Sequence, residues 1–213
     1  MIPVALGPKP QILVDREDEW TYELLGYIES GENVPDSILR RYAHAEIKAA
    51  VKGETYEKCA YCESKIAHVA PGDIEHIKPK SKYPDSTYRW ENLTYVCNEC
   101  NRRKGDQYDE DLPPVNPFVD TPSDHLIGLG PMVMARLGSS KGEATIPLVG
   151  LNRPALMERR QEAITSIKNL AERVVREESE PLREILRDQL SIEISDDREF
   201  ALIKRDVLTA LGL

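Results

Sequence analysis

The sequence lacks the features that mark membrane and secreted proteins. Its 213 residues contain no apolar run near the roughly 20 residues that a membrane helix needs. The N-terminal stretch MIPVALGPKPQILVDRE carries three prolines, no basic flank and no long apolar core, so it does not resemble a signal peptide. We therefore expect a cytoplasmic protein without a membrane partner.

Positive charge is also scarce. The formal net charge is -9, which disfavours unspecific attraction to nucleic acid. Residues 59–104 are the exception, because they hold eight Lys and Arg against six Asp and Glu and contain all four cysteines. A local basic site is therefore compatible with an acidic chain.

Hydrophobic spacing divides the chain into three segments: helical residues 1–55, a core at 56–150 and helical residues 151–213, expected to form one compact unit. In the first, we predict helices at 17–30, ended by Gly31, and at 36–52, with Gly53 as C-cap. In the core, we predict strands at 73–77 and 92–96 and a helix from Asn98.

The stretch 107–150 contains six prolines, which predict irregular chain around a core, and a short strand at 144–148 is compatible with its sequence. After it, Pro154 suits the first position of a helix. Further helices are predicted from Pro181 and after Asp196, which we expect to be an N-cap.

The cysteines form two C-x-x-C pairs, Cys59 with Cys62 and Cys97 with Cys100. Four thiolates in two short chelating loops suit tetrahedral zinc, whereas four buried thiols would not need this spacing. A C-x-x-C redox pair is disfavoured because there are two pairs and no βαβ context. The 34 residues between the pairs are enough for a hairpin that the metal clamps at its base. We therefore expect a structural zinc site.

Several motifs lie within and around this frame. In order they are C59-x-x-C62, D73-I-E75-H76-I-K-P, W90-E-N92-L and C97-x-x-C100-N101-x-x-K104. Together they resemble the HNH endonucleases, which build their site on a ββα-metal motif. The resemblance implies an α+β fold, in which helices flank a zinc-clamped ββα-metal core.

The resemblance also implies roles for individual side chains. His76 would be the general base, since a neutral imidazole accepts a proton at neutral pH. Glu75 and Asn101 would bind a catalytic Mg²⁺ or Mn²⁺, and Asp73, on the same strand face as Glu75, is a further candidate ligand. Asn92 would orient the base or tie the hairpin together. Because Glu75 and His76 are neighbours on a strand, either the strand end is twisted or the phosphate lies across it.

Basic residues surround these motifs, and as a group they predict contacts with a phosphate backbone. Lys104, three residues after Asn101, would share its helix face. The full set is Lys78, Lys80, Lys82, Arg89, Arg102, Arg103 and Lys104.

A narrower resemblance extends over about residues 56–160, through CAYCES, NPFVD and TIPLVGLNRPALMERR. These stretches are similar to the HNH nucleases of Septu and retron-linked antiphage systems. That likeness implies an effector nuclease that cleaves DNA and works with an ATPase partner. The alternative from the residues alone is a non-catalytic zinc module that binds nucleic acid or protein.

Overall fold

The computed structural model describes residues 1–68 and 70–213. Within them the elements run in the order α1 Gln11–Ser30, α2 Asp36–Leu39, α3 Ala45–Glu54, β1 Asp73–His76, β2 Leu93–Val96, α4 Asn98–Lys104, α5 Pro122–His125, β3 Leu126–Leu129, β4 Met132–Ala135, α6 Ser140–Leu148, α7 Pro154–Arg176, α8 Glu180–Glu193 and α9 Ala201–Ala210. The predicted α+β class is confirmed. No helix in this part of the chain is both long and apolar enough to cross a membrane.

The N-terminal helices follow the predicted pattern with shifted boundaries. Helix α1 begins earlier than predicted, directly after Pro10, and ends at Gly31, whose φ of 70° gives the left-handed C-cap that the sequence predicts. The single helix predicted at 36–52 is wrong, because the chain breaks at His44 and forms α2, a 3₁₀ turn over Arg41–Ala43, and α3. Gly53 lies inside α3, so its predicted capping role is also wrong.

The central unit is an antiparallel hairpin followed by a short helix. Strand β1 pairs with β2 in a register that sets Asp73 opposite Val96 and His76 opposite Leu93. All four residues of β2 are buried, so the strand forms part of the core. Helix α4 begins after Cys97 and packs against β1. This is the ββα arrangement that the motifs predict.

The stretch 107–150 is more regular than its prolines predict. Strands β3 and β4 form a second antiparallel hairpin, and α6 occupies the stretch where a short strand was considered. The Ser139 hydroxyl accepts a hydrogen bond from Gly142 N at 3.1 Å and so starts α6. Strand β3 packs on α9, where Gly128 N donates to Asp206 Oδ2 at 2.6 Å.

The C-terminal helices begin at Pro154, as predicted. Asp196 does not cap α9, which starts after Phe200, a residue with φ of 56°. The main hydrophobic core takes side chains from all three predicted segments, including Leu24, Leu93 and Ile203. A smaller cluster joins α7, α8 and α9 through Ile167, Ala171, Val174, Leu186, Leu190 and Leu208.

Candidate active site and zinc centre

The four cysteine sulfurs meet at one point between the loop before β1 and the start of α4. Their Sγ atoms all lie within 4.8 Å of one another. Cys62 Sγ and Cys97 Sγ lie 3.9 Å apart. Zinc–sulfur bonds of about 2.3 Å in a tetrahedron set the sulfurs about 3.8 Å apart, so the donor set fits zinc.

This is a closed centre. Cys59, Cys62 and Cys100 are buried and Cys97 is half-buried. Within residues 1–68 and 70–213, no other three or more His, Cys, Asp and Glu side chains converge in this way. Ala60, between the first two ligands, donates from its backbone N to Tyr95 O at 2.9 Å and thereby ties the cysteine loop to β2.

Arg153, at the start of α7, caps the sulfur centre. Its Nη1 lies 3.5 Å from Cys100 Sγ, and its Nη2 lies 3.5 Å from Cys62 Sγ and 3.7 Å from Cys97 Sγ. Four thiolates around one Zn²⁺ would keep a net negative charge, which the guanidinium would offset. The sequence did not reveal this contact, because 53 residues separate Arg153 from Cys100.

A cleft of about 280 Å³ lies where β1 ends, next to Asn101 of α4. Tyr42, Glu75, His76, Lys80 and Asn101 line it. Glu75 and His76 are neighbours on β1, yet both line the cleft, together with Pro79 and Lys80 of the loop that follows the strand. The structure therefore brings together the predicted base, two predicted metal ligands and one predicted phosphate contact.

His76 is held in a defined orientation. Its Nε2 lies 2.9 Å from Thr87 O, and a carbonyl only accepts, so Nε2 carries the proton. In the neutral ring Nδ1 is then the free acceptor. Burial, reinforced by the nearby Lys80 ammonium, lowers the pKa of His76 to about 4, and the hydrogen bond to Thr87 opposes this shift only in part. The imidazole is therefore neutral at physiological pH.

Glu75 is buried and paired with a lysine. Lys104 Nζ lies 2.6 Å from Glu75 Oε1, and the lysine side chain is fully buried. The same Nζ donates to His76 O at 2.9 Å. Burial raises the pKa of the Glu75 carboxyl, although the Lys104 ammonium opposes that shift. The phosphate contact predicted for Lys104 does not fit this burial, because its ammonium faces the carboxylate and not solvent.

Asn101 and Asp73 contact each other across the hairpin and α4. Asn101 Nδ2 donates to Asp73 Oδ2 at 2.9 Å, which leaves Asn101 Oδ1 available as an oxygen donor. Asp73 thus orients the asparagine, and its own role as a metal ligand stays a prediction.

Asn92 ties the loop after β1 to β2. Its Oδ1 accepts from Lys78 N at 2.7 Å, while its Nδ2 donates to Lys78 O at 3.0 Å and to Ser86 O at 2.9 Å. Of its two predicted roles, these contacts correspond to tying the hairpin.

The other basic residues lie on several surfaces. Lys80 Nζ reaches the cleft and donates to Tyr42 OH at 2.8 Å. Lys78 Nζ lies 5.1 Å from the ring centre of Tyr83, and the exposed Lys82 borders a different depression.

Three arginines of the predicted set form ion pairs. Arg102 Nη2 lies 2.9 Å and Arg103 Nε 2.8 Å from Glu99 Oε1 on the outer face of α4. Arg89 Nη1 lies 2.7 Å from Glu17 Oε1 of α1. The structure thus does not gather the predicted basic residues into one patch.

Sequence reasoning missed two residues that contact His76. Tyr42 follows Ile38 at helical spacing, a pattern that predicts packing within a helix and not a place in the site. Thr87 acts through its backbone carbonyl, which no residue-type pattern marks. Only their contacts with His76 identify them.

Comparison with known proteins agrees with this arrangement. Residues 59–107 match the HNH endonuclease family model, and the segment contains both cysteine pairs and the ββα unit. The chain is also similar to Septu protein PtuB from Bacillus thuringiensis, with 29% identity over 71% of this chain and 55% of the relative. Septu protein PtuB from Bacillus mycoides (strain KBAB4) is 28% identical over 60% of this chain and 54% of the relative. The chain therefore spans about half the length of the curated relatives it matches, and the resemblance predicted from the motifs is confirmed.

Proposed function

We propose that this chain is a metal-dependent endonuclease that hydrolyses phosphodiester bonds in DNA. The observation that carries the proposal is the single cleft lined by His76, Glu75 and Asn101. It lies within the segment that matches the HNH endonuclease model. A pure binding module has no need to hold a neutral imidazole in one tautomer beside two oxygen donors.

His76 would act as the general base. With its Nε2 proton donated to Thr87 O, its Nδ1 accepts a proton from a water molecule in the cleft. The water oxygen forms a bond to phosphorus while the bond to the leaving ester oxygen breaks. The leaving oxygen takes a proton from solvent, and the proton on Nδ1 returns to solvent afterwards.

Glu75 and Asn101 would hold the catalytic cation, Mg²⁺ or Mn²⁺. Their carboxylate and amide oxygens are the hard donors that such ions prefer, and Asp73 keeps the amide of Asn101 turned toward the cleft. When bound, the cation stabilises the charge that develops on the scissile phosphate and the leaving oxygen. The zinc centre would serve the fold, since its four sulfur ligands leave no open position.

A plasmid-nicking assay tests the chemistry. In Mg²⁺, His76→Ala is expected to lose about 10²–10⁴-fold in rate, the usual contribution of a positioned base. His68→Ala is the matched control, because His68 is exposed and does not line the cleft. Omission of Mg²⁺ should stop cleavage by the wild type and leave its zinc content unchanged. Equal cleavage by both variants would show that His76 is not the base, whereas no cleavage by the wild type in Mg²⁺ would favour a non-catalytic zinc module.

We further propose that the nuclease is the effector of an antiphage defence system and works with an ATPase partner. The similarity to the two Septu proteins PtuB supports this assignment. Expression with the product of a neighbouring ATPase gene, followed by phage challenge, tests it. Protection by the wild type and none by His76→Ala is expected. If His76→Ala still protects, defence does not depend on cleavage by this chain. If the two proteins do not co-purify, the proposal of an ATPase partner is wrong.

A further inference from the structure

We infer that Tyr42 is a positioning residue of the cleft: it holds the Lys80 ammonium and the His76 ring in place for the phosphate. The inference rests on the proposed endonuclease function and adds a residue that the ββα unit does not contain. Tyr42 belongs to the 3₁₀ turn Arg41–Ala43, outside the residues 59–107 that match the family model.

The tyrosine ring supports the imidazole. Tyr42 and His76 meet edge-on, with ring centres 4.5 Å apart and planes at 80°. Aromatic rings favour this arrangement over face-to-face stacking. His76 is thus fixed at two places, by Thr87 O at Nε2 and by Tyr42 against its ring, so the direction of Nδ1 is set before substrate arrives.

The same tyrosine restrains the lysine. Lys80 Nζ donates to Tyr42 OH at 2.8 Å and lies 4.1 Å from the ring centre, within the range of a cation–π contact. Free lysine side chains sample many rotamers, and this double contact selects one that keeps the ammonium in the cleft.

The position of Tyr42 is set by the N-terminal segment. Helix α3, which follows the turn, packs against β2, and Lys48 Nζ donates to Gly72 O at 3.0 Å just before β1. The N-terminal segment therefore supplies one wall of the cleft. The ββα unit alone carries His76 and Lys80 without the ring that restrains them.

Steady-state kinetics on a fluorescent duplex in Mg²⁺, with the full chain, test the inference. Tyr42→Phe keeps the ring but removes the hydroxyl, so KM is expected to rise about tenfold with kcat nearly unchanged, the usual value of one hydrogen bond to a charged group. Lys80→Ala should raise KM at least as much and reduce the slope of log affinity against log salt by about 0.9. The double variant should be no worse than Lys80→Ala, because both changes remove the same contact.

Matched variants exclude a merely structural role. Tyr22→Phe changes an 83% exposed tyrosine on α1 and should leave KM, kcat and the salt slope unchanged. Tyr42→Leu removes the ring as well, so it should also lower kcat through His76. Lys80→Arg should restore part of the lost affinity.

Several outcomes would overturn the inference. A Tyr42→Phe enzyme with wild-type KM and salt slope, or strictly additive losses in the double variant, would show that the tyrosine does not act through Lys80. If the wild type does not cleave, the proposed function fails, and duplex affinity in Mg²⁺-free buffer still tests Tyr42. An unchanged affinity in Tyr42→Phe would then overturn the inference as well.

Discussion

Two sites share helix α4 and differ in how complete they are. The sulfur side is the largely buried group in which Cys97 and Cys100 join two other sulfurs, all within 4.8 Å of one another. The oxygen side begins at Asn101, the next residue along, and its oxygen donors already have partners. Asp73 is bound to Asn101 itself, and Glu75 is paired with Lys104.

The difference corresponds to two uses of a metal ion. A structural ion needs ligands that converge and exclude water, because its binding energy stabilises the fold. A catalytic ion must leave room for water and phosphate, so its protein ligands are few and sit at an open cleft. In the proposed function, one short helix would serve both purposes through two adjacent side chains.

The largest effect on stability should come from removing a cysteine of the sulfur side while the oxygen side is kept intact. Cys100→Ala removes one zinc ligand, and structural zinc contributes about 10–16 kcal/mol to folding in zinc-finger peptides. The cooperative thermal transition should therefore disappear, as measured by near-UV circular dichroism with zinc content by mass spectrometry. Asn101→Ala, one residue away, should keep both the transition and the zinc and lose Mg²⁺-dependent cleavage. If the two variants show the same changes in thermal transition, zinc content and cleavage, the two sites do not act separately.

A second test concerns the buried pair on the oxygen side. Lys104→Met leaves the Glu75 carboxylate buried without its partner, and breaking such a pair costs about 3–5 kcal/mol. Urea unfolding should show that loss, and Mg²⁺ should restore more stability to this variant than to the wild type.

Arg102→Met is the control for Lys104→Met, because its 71% exposed side chain forms a surface pair worth at most about 1 kcal/mol. Equal losses in the two variants would argue against a buried charge that needs compensation.

A third test addresses the guanidinium over the sulfurs. Arg153→Met keeps much of the apolar bulk but removes the donors to Cys62, Cys97 and Cys100. Loss of such outer contacts typically lowers metal affinity about 10–100-fold. Competition with a chelating dye measures the zinc affinity. The control is Arg159→Met, at a side chain 59% exposed on the same helix, and its zinc affinity should match that of the wild type. If Arg153→Met binds zinc as tightly as the wild type, the arginine contributes only to packing and not to metal binding.

The smallest effect is expected behind the sulfur centre, where Glu54 and Cys59 line a cavity of about 210 Å³. Burial raises the pKa of Glu54 to about 7, although its hydrogen bond from Gly7 N opposes the shift. The folded state therefore binds this proton more tightly than the unfolded chain, so stability from Glu54 is greatest at low pH. It declines as pH rises from about 4.5 to 7.

Glu54→Gln should flatten this dependence. The melting temperature of the variant should therefore rise relative to that of the wild type between about pH 5 and pH 8, and thermal melts at a series of pH values measure it. Glu91→Gln, at an exposed site, provides the control. Parallel curves for Glu54→Gln and the wild type would mean that the carboxyl titrates alike in both states.

The sequence predicted the local parts of this molecule well. The C-x-x-C spacing and the E75-H76 pair are short-range signals, so the sulfur centre, the hairpin and α4 could be located from them. What it missed depends on contacts between distant residues. Tyr42 reaches His76 across 34 positions, and Lys104 turns inward because Glu75 lies beneath it. The β3–β4 hairpin was missed for a related reason: it packs on α9, and its own residues are interrupted by a glycine and a proline.

Because Cys100 and Asn101 are adjacent, the size of an ion at the sulfurs would affect the position of the amide proposed to bind the second ion. A cadmium ion forms longer bonds to sulfur than zinc does, so its substitution would push the first turn of α4 outward and carry the neighbouring amide with it. If the proposed cation site is right, the identity of the ion in the sulfur centre would then affect how tightly the cleft binds its own cation.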